Sequence, residues 1–142
     1  MTDLSTTYLG LELRNPIVAS AGPLSQTVDG IKSLADGGVG AVVMYSLFEE
    51  QIQREAEADA VLEEIYEESY AEALSYFPSA TTERKDASHA YLKLLEEGAN
   101  AIDVPLIASL NGASMGGWTH KARQMADAGA SAIELNIYFV PG

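Results

Sequence analysis

Apolar residues follow two rhythms along this chain. In the first they run almost without interruption: Ile17-Val18-Ala19, Ala41-Val42-Val43-Met44-Tyr45-Ser46, Leu106-Ile107-Ala108-Ser109-Leu110 and Ala132-Ile133-Glu134-Leu135-Asn136-Ile137. Runs of this length and composition predict buried strands. In the second, apolar positions recur at helical spacing. Ile31, Leu34 and Ala35 share one face of a helix over Val28–Ala35, capped by Ser25 or Thr27. Ala87, Tyr91, Leu94 and Leu95 do the same over about Glu83–Glu97, with Thr82 as cap. Ala122, Met125 and Ala126 mark a third helix over about Thr119–Ala128. From Phe48 to Phe77 there is no glycine or proline, and Ile52, Ala56, Asp59, Leu62, Ile65, Tyr66, Ala73, Leu74 and Phe77 recur at helical spacing, as in one long or two consecutive amphipathic helices. Near the amino terminus, Tyr8-Leu9-Gly10-Leu11-Glu12-Leu13 alternates around a glycine, as a small hairpin or an extended lead-in does.

Glycine and proline punctuate these segments. Gly37-Gly38 and Gly129 stop helices, because glycine takes the left-handed C-terminal position without strain. Gly116-Gly117 is expected in a flexible loop. Leu34–Val42 and Met125–Ile133 match as a repeat of helix end, glycine stop and buried strand. Leu95–Ile102 resembles a third copy, but Pro105 follows. A proline inside a strand removes a ladder bond, so the helix is expected to run through Ala101 and the strand to start at Pro105.

Strands alternating with helices imply a parallel sheet covered by helices. Two architectures satisfy this, an open doubly wound sheet and a barrel of eight β/α units. A dinucleotide fingerprint would need Gly-x-Gly-x-x-Gly after the first strand, where this chain has Gly22-Pro23-Leu24-Ser25. Small and polar residues gather instead at the carboxyl end of every strand: Ser20 and Gly22, Tyr45 and Ser46, Ser109 and Asn111, Asn136 and Tyr138. A barrel builds its site there. We therefore expect an α/β protein of the (β/α)8 TIM-barrel type. Only four of its β/α units fall within residues 1–142, so a single, incomplete N-terminal half is expected. Glu134 would point into such a barrel and need a cation or several donors. Arg14 is the nearest basic candidate, with absent strands or water at the floor as alternatives.

Composition narrows the chemistry. At 47% hydrophobic, 142 residues are enough for one domain. The formal net charge is −13, much of it between Glu49 and Glu72, where a solvated helix face explains it. Such a surface repels nucleic acid and anionic membrane. No apolar stretch approaches the ~18 residues of a membrane span. There is no cysteine, hence no disulfide and no thiol base, which fits a cytoplasmic protein. His89 and His120 lack a second ligand at metal spacing, so no metal site is expected. Trp118 either covers a ligand or anchors a loop on the core. Ser20-Ala21-Gly22 leaves bare backbone on which a flat ligand can lie, or simply makes room for a turn. Asn111 and Asn136 end two buried strands and need a ligand or each other.

Three blocks resemble the dihydroorotate dehydrogenase family, in its amino-terminal half. They are Asn15-Pro16 with Ala19-Ser20-Ala21-Gly22, Gly40–Ser46, and Glu134-Leu135-Asn136-Ile137 leading to Val140-Pro141-Gly142. Ile107–Gly112 and Gly116-Gly117-Trp118 are similar to a divergent branch of that family. The resemblance implies a flavin enzyme acting on CH–CH bonds, associated with pyrimidine biosynthesis, with FMN at the carboxyl ends of the strands. Ser20, Ala21 and Gly22 would lie beside the flavin ring. Tyr45 and Ser46 would touch the cofactor, and Asn111 and Asn136 would bind flavin or a small-molecule substrate. The chain departs from the family where Tyr45 replaces a lysine and where Phe139, next to Tyr138, occupies the position of the base. Tyr138 either substitutes as an acid or packs. The acidic 49–77 segment replaces the substrate loop, and the family's phosphate site lies beyond residue 142. These departures point away from dihydroorotate itself. The competing expectation is a non-catalytic half-barrel that pairs with its missing half or with itself. A third is a barrel enzyme for another phosphorylated ligand.

Overall fold

The structure is a computed structural model, and it describes residues 2–50, 54, 57, 61, 87–112 and 117–137. A short antiparallel hairpin opens the chain, β1 (Thr6–Tyr8) and β2 (Leu11–Leu13). Leu9 and Gly10 both take positive φ, 53° and 77°, which matches the twist of a two-residue hairpin turn. Four parallel strands follow in sequential order: β3 (Val18–Ala19), β4 (Ala41–Phe48), β5 (Leu106–Gly112) and β6 (Ala132–Ile137). Helices α1 (Val28–Asp36), α2 (Ala87–Ala101) and α3 (Gly117–Asp127) connect or flank them. Among the described residues no helix is long and apolar enough to cross a membrane.

The three helices share one face of the sheet. Ile31 of α1, Tyr91 and Leu95 of α2 and Met125 of α3 are fully buried against Val42, Met44, Leu106, Ala108 and Leu110. The opposite face carries a smaller cluster, Leu13, Ala41, Val43 and Ile107, closed by the hairpin. Gly98 lets α2 approach closely. A Cβ there would lie 2.9 Å from Ile31 Cδ1 and 3.1 Å from a Leu106 methyl.

Most elements lie where the pattern placed them, with instructive exceptions. Thr27, not Ser25, caps α1, accepting from the Gly30 amide at 3.0 Å. Gly38 (φ 95°) and Gly129 (φ 105°) occupy equivalent left-handed positions in the repeat. The third copy differs as expected, since α2 runs to Ala101. Ile17 is not in the strand. It is 62% exposed, and its amide donates to Asn15 Oδ1 at 3.0 Å, so β3 starts at Val18 and is only half buried with one neighbour. Of the apolar positions in α3, Met125 is buried and Ala126 is exposed. Gly117 opens α3. Phe48 ends β4 instead of opening a helix, and beyond it the segment to Phe77 is described only at Glu49, Glu50, Arg54, Glu57 and Val61, all helical. The break at 78–82, the Thr82 cap, Gly116 and residues 138–142 lie outside the described residues.

Asn15 locks this arrangement. Its amide nitrogen donates to the Gly38 carbonyl at 2.7 Å, tying the entry of β3 to the turn before β4. The Gly40 amide donates to Ile17 O at 2.7 Å. A Cβ on Gly40 would stand 2.1 Å from the Asn15 carbonyl oxygen, a backbone atom. Gly22 is the opposite case: its φ of 179° suits any residue, and a Cβ would meet only Ser20 O, at 3.9 Å. In urea unfolding, Gly40→Ala is expected to lower stability by about 1–3 kcal/mol through overpacking. Gly22→Ala is expected to stay within about 0.5 kcal/mol of the parent.

Candidate functional site

A register shift in β4 builds the site. Val43 pairs with Ile107, but Ser46 pairs with Ser109, so β4 uses one residue more than β5 between these points. That is a β-bulge, which re-aims the side chains beyond it. Strict alternation from Val42 and Met44 would put Ser46 on the helix face and Tyr45 opposite. The bulge exchanges them. The Tyr45 ring packs among the helix-face residues, edge-on to Tyr91, with centroids 5.0 Å apart and planes at 65°. Tyr45 therefore does not line the hairpin face. Ser46 does reach that face, and its hydroxyl lies 2.8 Å from Ser109 Oγ.

Ser109 is the hub. It is completely buried, and its register partner is Glu134. Its hydroxyl donates to Glu134 Oε1 at 2.8 Å. The Asn136 amide donates to the same oxygen at 3.0 Å and to Ser109 Oγ at 3.2 Å. Three adjacent strands thus contribute Ser46, Ser109, Glu134 and Asn136 to one network. Behind it, the Tyr91 hydroxyl accepts from the Ser109 amide at 2.9 Å and donates to the Ser109 carbonyl at 3.2 Å. Where β4 bulges, a phenol replaces the strand as partner for two backbone groups that need one.

Asn111, opposite Asn136 in register, is 8% exposed. Its Oδ1 is buried with no hydrogen-bond partner, so the two asparagines do not satisfy each other. A hollow of about 620 Å³ lies between the hairpin and the sheet, bounded by Thr7, Leu13, Val18, Ser20, Ile107 and Glu134 among others. It joins Ser20 to Glu134, and Asn136 meets it only through its bond to Glu134. Ser20, Ala21 and Gly22 are partly or fully accessible at the end of β3.

Arg14 is not the partner of Glu134. It donates to Val39 O at 2.8 Å and Ala35 O at 2.6 Å, at the carboxyl end of α1, where a cation complements the helix dipole. Trp118 is half-buried against the core beside Gly112, as an anchor is. His89 and His120 are exposed, and no group of residues suited to a metal ion occurs among the described residues. Tyr138 and Phe139 lie outside the described residues. Tyr91 is the member that sequence reasoning missed, and Ser109 stood there only as one polar strand-end residue among several. The available signal was a phenol on the inner face of α2, which needs a polar partner once buried. No family model matches this chain, and no curated protein matches it either.

Burial is the main cause raising the Tyr91 phenol above its usual 10.0. The hydrogen bond with the Ser109 backbone lowers it in part, while Tyr45 and Glu134 add to the rise. Burial also raises Tyr45. A folded state that holds these protons more tightly is at full strength below pH ~10, the unfolded range, and weakens as pH climbs through the folded value. Tyr91→Phe should cost about 1–3 kcal/mol at neutral pH, because the Ser109 amide is left unpaired. It should also flatten the alkaline loss of stability, as urea unfolding across pH would record.

Proposed function

We propose that the chain is the N-terminal half of a β/α barrel that holds FMN at its strand ends and serves a CH–CH oxidoreductase similar to dihydroorotate dehydrogenases. The observation that carries this reading is the cluster of Ser46, Ser109, Glu134 and Asn136, drawn from three consecutive parallel strands onto the face away from the helices. Sequential strand order with α1–α3 on one side supports a barrel wall over a doubly wound sheet, which carries helices on both faces.

Two features fit a flat, hydrogen-bonding ring. Asn111 Oδ1 is a buried acceptor that needs a donor, and ring N–H groups supply one. A Cβ at Gly22 would meet only Ser20 O, at 3.9 Å, so the Ser20–Gly22 backbone is uncrowded enough for a ring to lie on it. Bound FMN supplies hydride transfer. The protein's residues supply position: Ser20, Ala21 and Gly22 beside the ring, with Ser46, Asn111 and Asn136 as polar contacts. Tyr45 has no place in this set. The described hairpin face offers no lysine or arginine, so these residues suit the neutral oxidised ring better than an anionic reduced one, and dihydroorotate, a carboxylate, is a poor substrate for them.

The half-barrel that associates through its open side remains the second reading. Ile137 at 73% exposure and Phe48 at 47% favour it, as does β6, which pairs only with β5 among the described residues.

Titration of riboflavin and FMN into the protein, followed by flavin fluorescence, tests the first reading. Saturable quenching is expected with similar affinity for both, since the phosphate lies outside these contacts. Asn111→Leu should weaken binding about tenfold, the worth of one buried hydrogen bond. Absence of saturable binding rejects the flavin.

A further inference from the structure

The hollow beneath the polar cluster is unlike the strand-end region above it. It lies toward the hairpin, its walls include Leu13, Val18, Val43 and Ile107, and among the described residues Glu134 is the one carboxylate that borders it. Its volume of about 620 Å³ falls in the ~300–1,000 Å³ range of small-molecule sites.

Glu134 is held in place from behind. Ser109 and Asn136 both donate to Oε1, which anchors that oxygen. Oε2 takes no hydrogen bond from any described residue, and no described cation forms an ion pair with the group. The basic groups nearest in sequence logic are committed elsewhere: Arg14 caps α1, Lys121 donates to Ser88, and Lys93 reaches Glu97. An oriented carboxylate on an apolar wall recognises one chemistry well. It takes a group that is cationic, donates hydrogen bonds and is attached to a nonpolar body.

We propose that this hollow binds a small organic cation, with its ammonium on Glu134 and an aryl or short alkyl body against Val43 and Ile107. Thr7 and Ser20, also on the wall, offer hydroxyls to the remaining ammonium protons. Ser20 and Asn136 are shared with the flavin reading, but Asn111 and Ser46 take no part here, so Asn111→Leu separates the two: it weakens the flavin and leaves this site intact. Association with another chain that brings its own lysine or arginine is a separate outcome, and the same experiments expose it.

The test uses benzylamine, with benzyl alcohol as the neutral isostere and benzoate as the anion. NMR titration of the protein should show saturable shifts at Val43, Ile107 and Glu134 for benzylamine. Benzyl alcohol should bind about tenfold or more weakly, the worth of one charge-assisted hydrogen bond. Benzoate should not bind there. Glu134→Gln keeps an acceptor for Ser109 and Asn136 and should erase the preference for amine over alcohol. Equal binding of amine and alcohol by the parent protein overturns the proposal without needing any variant. So do shifts that map away from the hollow. If the protein sediments as a dimer that Glu134→Gln dissociates, the carboxylate serves a neighbouring chain's cation, and the proposal fails.

Discussion

The extra residue in β4 is the constraint on which the site depends. Parallel strands satisfy each other's backbone in a regular ladder, and an inserted residue breaks that regularity. Ser109, wholly buried, would then carry an amide and a carbonyl with no partner. Leaving one such group unpaired costs about 1–3 kcal/mol, a large share of the 5–15 kcal/mol that holds a domain folded. The Tyr91 hydroxyl is both acceptor and donor, and it serves both groups. It arrives from the helix layer through a core of Ile31, Leu95 and Leu106, where Gly98 permits close approach. Packing of α2 thus determines whether the bulge is tolerable, and the bulge determines which residue of β4 faces the polar cluster.

This chain of dependence explains what the sequence made legible. Strand and helix identities came from apolar rhythm, and Gly38 and Gly129 marked the turns because both need positive φ. Pro105 correctly argued that α2 continues to Ala101. The bulge left no such trace. Val42 to Leu47 is a continuous apolar run with one serine, and either face of a covered sheet accepts such residues, so parity within it carries no signal. Tyr45 and Ser46 were both plausible site residues on composition, yet only Ser46 reaches the cluster. Glu134 and Asn136 share strand parity and therefore a face, which the sequence shows directly, and one hydrogen bond joins them. Ser109 was legible as polar but not as the hub, because its importance comes from α2.

Asn15-Pro16 teaches a related lesson. A residue pair that carries a family resemblance need not touch a ligand. Here Asn15 bridges Gly38 O and the Ile17 amide, and its own carbonyl crowds Gly40. Its work is to set the start of β3 relative to β4 at the end of the sheet opposite Ser20 and Ser46. Arg14 does the same for α1. The basic residue that charge-counting assigned to Glu134 is instead part of this clamp.

Glu134 then poses the sharper physical question, how a carboxylate survives in the sheet without a cation. Full burial of a lone charge costs several kcal/mol even after relaxation. Two donors on one oxygen return about 1.5–3 kcal/mol each. The sum closes only because Glu134 is half-buried and still faces the hollow, where solvent screens it. Filling that hollow with a neutral or anionic body would remove the screening and strand the charge. The wall therefore discriminates by charge before it discriminates by shape, and any occupant below the Ser46–Asn136 row, whether small molecule or neighbouring strand, has to bring the positive group that the described residues of this face lack.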